Sequence, residues 1–178
     1  MVRGQVAVGH KANEIVAVPT LLAGRDLTGM IVVGDAMHAQ RALSIQVVER
    51  GGDYLWMVKD NQKALLADRE LLFARPRLAN GWRDPLTDCT TATRVDKGHG
   101  RLEERTITVN RMLRDYVDWP YLDQVFRVER RVQEQGKTRV EVRFGITSAP
   151  PSVAAAGRLL QVVRAEWGIE NGLHHRRD

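Results

Sequence analysis

Two short, continuously apolar runs constrain this fold more than any other feature. Met30-Ile31-Val32-Val33 and Tyr54-Leu55-Trp56-Met57-Val58 show no polar alternation, so each suits a strand covered on both faces. Between them, Ala39 to Val48 has helical spacing, and Gly51-Gly52 ends it. Upstream, Val2 to Val8 reads as a further strand. Asn13 can cap a helix running to about Leu22, interrupted by Pro19 and stopped by Gly24. Downstream, the polar turn Lys59-Asp60-Asn61-Gln62 leads into a helix from about Ala64 to Phe73. Strand–helix–strand–helix implies an α/β protein with a mostly parallel sheet.

The texture changes after Pro76. Residues 86–110 are Thr-rich and β-leaning around Lys97-Gly98-His99-Gly100. Val125 to Gln133 and Thr138 to Thr147 flank Gln135-Gly136 and predict a long hairpin. Val125, Arg127, Glu129 and Arg131, set against Val140, Val142 and Phe144, imply that one face of it is wet. Pro150-Pro151 closes the stretch. Ser152 is the expected cap of a last helix passing Leu160 and Val163 toward Glu170.

A chain of 178 residues supports one domain with room for an inserted subdomain, and 43% apolar residues suffice for a core. The formal charge of +5 favours an anionic partner, of which nucleic acid is the commonest. A single cysteine, Cys89, excludes an internal disulfide and fits a reducing compartment. No apolar run approaches the roughly 20 residues of a membrane span, and the first residues lack the apolar core of a signal peptide. The expectation is a cytoplasmic protein with no membrane partner, nucleoid-associated if bound to DNA.

Candidate chemistry begins with Asp35, at the end of the first apolar run. Ligands of parallel α/β sheets bind beyond the carboxyl ends of strands, so Asp35 could hold a metal. It could equally cap the helix that follows. Near the end of the sequence, Glu166, Glu170, His174 and Asp178 follow i, i+4 spacing, with Asn171 and His175 beside them. That stripe is either a ligand set or a solvated helix face. Lys59, Asn61 and Gln62 could touch phosphate or form an ordinary turn. His99, Arg101, Glu103 and Arg105 could do the same or sit on a surface hairpin. Arg127, Arg130, Arg131, Lys137, Arg139 and Arg143 are interleaved with Glu129, Glu134 and Glu141, so a solvated sheet face is the default for them.

Six segments together resemble one family. They are Gly4 to Val8 with Lys11 to Ile15; Val33-Gly34-Asp35-Ala36-Met37 with Gln40; Gly51 to Tyr54 running to Gln62; Gly98 to Arg105; Gly145-Ile146-Thr147-Ser148; and Trp167-Gly168-Ile169-Glu170-Asn171 with Leu173-His174. Their order and spacing are similar to those of DDE transposases of the H-repeat-associated (ISAs-type) insertion sequences, over nearly the whole chain. The resemblance implies an RNase H-like mixed sheet with a β-rich insertion before the last helix. It implies two aspartates and a glutamate holding Mg²⁺ (or Mn²⁺), with hard oxygen ligands to match. Asp35 would be the second aspartate and Glu170 the glutamate. Lys59, Asn61, Gln62, His99, Arg101, Asn171 and His174 would support DNA or the metal site.

The family's first catalytic aspartate lies upstream of a Gly-Lys dipeptide, and this sequence starts after it; Asp26, in a helix–strand connection, is no replacement. The family's chain also continues past Asp178. The expectation is therefore a transposase truncated at both ends. Residues 1–75 would form a partial core, 76–150 the insertion and 151–178 the last catalytic helix. Such a copy would lack its first sheet strands and be inactive and marginally stable. The alternative is a non-catalytic DNA-binding remnant that associates with, or inhibits, full-length transposase. The expected partners are insertion-sequence ends and copies of the transposase itself.

Overall fold

A computed structural model of the chain describes residues 14–59, 73, 89–98 and 100–174, with the backbone alone for 14–16 and 166–174. In chain order the elements are α1 (Glu14–Leu22), β1 (Ile31–Gly34), α2 (Arg41–Glu49), β2 (Asp53–Val58), β3 (Thr90–Gly98), β4 (Arg101–Asn110), β5 (Gln124–Glu134), β6 (Lys137–Thr147) and α3 (Ala156–His174). The expected strand at Val2 to Val8 and most of the helix from Ala64 lie outside the described residues. Phe73, at that helix's end, is helical and buried.

Both apolar runs are strands. β1 and β2 pair in parallel, Ile31 opposite Asp53 and Gly34 opposite Trp56, with α2 as the crossover. The mostly parallel sheet is corrected: the order is β1-β2-β6-β5-β4-β3, and every other pair is antiparallel. The reason is connectivity. β3 to β6 are joined in sequence by hairpins or a meander, which deliver antiparallel neighbours, and β6 continues the sheet from β2. The result, among the described residues, is one mixed six-stranded α/β sheet. The hairpin turn at Gln135-Gly136 has φ of 49° and 74°, the left-handed pair that a two-residue turn demands and that Gly136 supplies.

The apolar continuity of β2 is explained by burial on both sides. Tyr54, Trp56 and Val58 face α1 and α2, joining Leu22, Leu43, Val47, Val125 and Ile146. Leu55 and Met57 face α3, joining Phe126, Val128, Leu159, Leu160 and Val163. Each such large side chain contributes about 1.5–3 kcal/mol by leaving water. The buried indole of Trp56 donates to Ser44 Oγ at 2.9 Å, and that hydroxyl donates to the Gln40 carbonyl at 2.9 Å. A polar residue on the inner face of α2 thereby completes the core.

α3 contacts β1 at one edge of the sheet and the β3–β4 pair at the other. α3 therefore crosses the described sheet from one edge to the other. α3 begins at Ala156 rather than near Ser152. The Pro150 carbonyl instead accepts from the amides of Val153 and Ala154 at 2.9 Å, closing a turn before the helix starts. Gln124, buried in β5, donates to the carbonyls of Ala149 at 2.6 Å and Ala154 at 3.1 Å, fixing both sides of that turn.

Candidate functional site

Asp35 follows the carboxyl end of β1, beside the β2 end that leads to Lys59. Its Oδ1 accepts from the Met37 amide at 3.1 Å and lies 2.9 Å from Nδ1 of His38. These contacts settle the simple capping alternative. α2 starts only at Arg41, its N-cap is Gln40, and no side chain caps it. Asp35 folds back on its own turn instead, and its side chain stays 42% exposed.

Gly34 explains how the turn fits. A Cβ there would lie 2.8 Å from His38 Cβ and 2.9 Å from Trp56 Cζ3. Only glycine lets the histidine pack over the strand end and reach Asp35. His38 is the residue that sequence reasoning missed; the signal was its place three residues after Asp35.

Two further motif segments prove to be a structural clasp. Ser148 Oγ donates to Asp53 Oδ1 at 2.8 Å and accepts from the Tyr54 amide at 3.0 Å, while Thr147 Oγ1 donates to the Tyr54 carbonyl at 2.5 Å. The Gly-Ile-Thr-Ser and Gly-Gly-Asp-Tyr segments thus lock β6 to the start of β2. Gly145 leaves room for the Phe126 ring directly across the ladder.

Glu170, Asn171 and His174 lie on α3, the helix that contacts β1; their backbone alone is described. Lys59 is exposed. Asn61, Gln62 and His99 lie outside the described residues. Among the described residues no three metal-capable side chains cluster. The donor chemistry at Asp35 nonetheless suits a hard divalent cation: a half-exposed carboxylate at a strand end, with only Oδ1 engaged among the described residues.

Arg101 belongs to a larger assembly. Glu103 is almost wholly buried and takes salt bridges from Arg101 at 3.0 Å, from Arg130 at 2.5 Å and from Arg105. Arg105 continues to Asp96 at 3.1 Å, which also meets Arg94 at 3.4 Å and Arg164 of α3 at 3.3 Å. Arg130 reaches Glu141 at 3.5 Å, and Glu141 holds Arg143 at 2.6 Å. Burial pushes the Glu103 carboxyl up, but the Arg130 hydrogen bond and the charges of Arg105, Arg130 and Arg101 outweigh it, holding the group below the usual carboxylate range.

The molecule is thus an α/β protein with an acidic strand-end site and an arginine-rich outer sheet. No protein-family profile matches the chain, and no solved structure does. Curated relatives do. A protein of Escherichia coli (strain K12) named "H repeat-associated putative transposase YhhI" is 31% identical, covering 100% of this chain and 47% of the relative. A second from that strain with the same description, YbfD, is 35% identical over 68% of this chain and 46% of its own length. An uncharacterized protein of Xanthobacter autotrophicus, from the dhlA 3′ region, is 38% identical over 81% of this chain and 48% of the relative. These likenesses support a place for the chain among the H repeat-associated transposases. It spans about half the length of the relatives it matches. Among the described residues, no helix is long and apolar enough to cross a membrane.

Proposed function

We propose that the chain carries two of the three metal-holding carboxylates of a DDE-type transposase site of RNase H-like design, Asp35 and Glu170, and that in the complete site these serve divalent-metal-dependent cleavage and transfer of DNA strands. The observation that supports this reading most is the position of Asp35. It is a half-exposed carboxylate at the carboxyl end of a parallel strand, and that strand touches the helix bearing Glu170. His38 and the Met37 amide hold Oδ1, so Asp35 is oriented before any ligand arrives. When bound, Mg²⁺ or Mn²⁺ supplies charge neutralisation at the scissile phosphate and a more acidic water. Lys59, beside the same strand end, is placed to meet a phosphate.

The test is cleavage of duplex DNA carrying insertion-sequence ends, with Mg²⁺ or Mn²⁺. Asp35→Asn and Glu170→Gln are each expected to lower cleavage at least 100-fold and weaken Mn²⁺ binding, with an unchanged melting temperature. Full cleavage by either variant would sink the assignment. Tight DNA binding by the wild-type chain without cleavage would select the non-catalytic alternative, in which the chain acts by associating with complete transposase.

A further inference from the structure

The ladder register sorts the charges of β3 to β6 onto two faces, because side chains alternate along each strand and directly paired residues share a face. The face that receives α3 carries Arg94, Arg101, Arg105, Arg130, Lys137, Arg139 and Arg143 against Asp96, Glu103, Glu134 and Glu141. That is a surplus of three positive charges, and Arg164 of α3 adds a fourth. The opposite face carries Lys97, Arg127 and Arg131 against Glu104 and Glu129, a surplus of one. Among the described strands the positive surplus is therefore concentrated on one side of the sheet.

Burial of Glu103 gives that side its form. The carboxylate lies at the floor, 3% exposed, and gathers three guanidiniums above it. Arg101 remains 48% exposed and Arg130 30% exposed. A fixed guanidinium is pre-organised for a phosphate, since its rotamer entropy is already spent. Toward the hairpin end, Arg101, Arg130, Lys137 and Arg139 border a groove of about 430 Å³.

We infer that this α3-side face of β3 to β6 is a docking surface for the phosphate backbone of duplex DNA, with Glu103 as the positioning residue beneath it. Charge complementarity favours a polyanion over a neutral or acidic partner. The inference rests on the DNA-processing reading and deepens it. The basic face and the helix bearing Glu170 lie on the same side of the sheet, so DNA held here lies on the side where that carboxylate is carried.

The experiment measures affinity for a labelled duplex by fluorescence anisotropy between 50 and 200 mM salt, a range over which phosphate contacts lose affinity steeply, on the order of 10³-fold or more for about six contacts. Two double variants with the same charge change are compared: Lys137→Glu/Arg139→Glu on the proposed face and Lys97→Glu/Arg131→Glu on the other. The first is expected to weaken binding at least tenfold and flatten the log–log salt slope by about 2. The second is expected to stay within about threefold. Equal losses, or no loss in the first pair, would overturn the surface while leaving the DNA reading intact. If the wild-type chain binds no duplex even at the lowest salt, surface and DNA reading fall together. Should the first pair lower the melting temperature, Lys137→Gln/Arg139→Gln replaces it, with the same ordering expected.

Discussion

Glu103 shows what a buried charge requires. A carboxylate removed from water costs several kcal/mol unless its partners are close and well placed, and here three guanidiniums supply them. Removing the charge takes away the partner these three guanidiniums share, while Arg105 keeps Asp96 and Arg130 keeps Glu141, so Glu103→Gln should cost about 1–3 kcal/mol. The sign with pH follows from the lowered folded value. The contribution is fully present above the unfolded glutamate value of about 4.3 and is lost as pH falls through the lower folded value. Urea midpoints of wild type and Glu103→Gln, taken from pH 7 to pH 3, should therefore converge in acid. A gap independent of pH would refute the linkage. At this scale the sequence was partly legible. The strand-end position of Asp35 was legible from the apolar run before it; the His38 contact was not, because it depends on a turn that only Gly34 permits.

At the scale of elements, Gln124 joins hairpin to helix. Its amide spans the turn from Ala149 to Ala154 and so fixes where α3 begins. Gln124→Leu would leave both carbonyls short of a donor in the interior, costing about 2–3 kcal/mol. Faster hydrogen exchange at the amides of Ala154 to Leu160 should accompany that loss, and unchanged exchange there would show that the turn holds itself. The strands around this residue were readable from the chain. Gln135-Gly136 dictated the second hairpin, while the segment from Gly98 to Gly100 left a hairpin and a phosphate-binding loop equally open, and β3 and β4 pair across it. The start of α3 was not readable, since Ser152 is an excellent local cap and was overruled by the turn that Pro150 closes.

Over the whole molecule, a single sheet forms the wall between two apolar layers. Tyr54 and Trp56 belong to one, Leu55 and Met57 to the other, so neither layer can dissolve without breaking β2. Unfolding should accordingly be one cooperative event. The near-ultraviolet signal of packed aromatic rings and the far-ultraviolet signal of the helices should give superimposable melting curves; separated midpoints would show that the layers melt independently. Among the described residues β1 pairs with β2 alone.

Local patterns determined much of this protein without any tertiary knowledge. Apolar continuity specified two strands, Gln135-Gly136 specified one hairpin, and six short motifs in order pointed to the family. These are properties of neighbouring residues, so a linear reading recovers them. The tertiary structure alone decided that the hairpins extend the core sheet with antiparallel partners, and that α3 crosses that sheet from β1 to the β3–β4 pair. It also decided that most of the arginines that look evenly interleaved with glutamates, Arg127 and Arg131 excepted, share one face with Glu103. Charge sorting of that kind depends on which residues stand opposite each other across four strands, and hydrogen-bond register between distant segments, rather than sequence spacing, sets that relation.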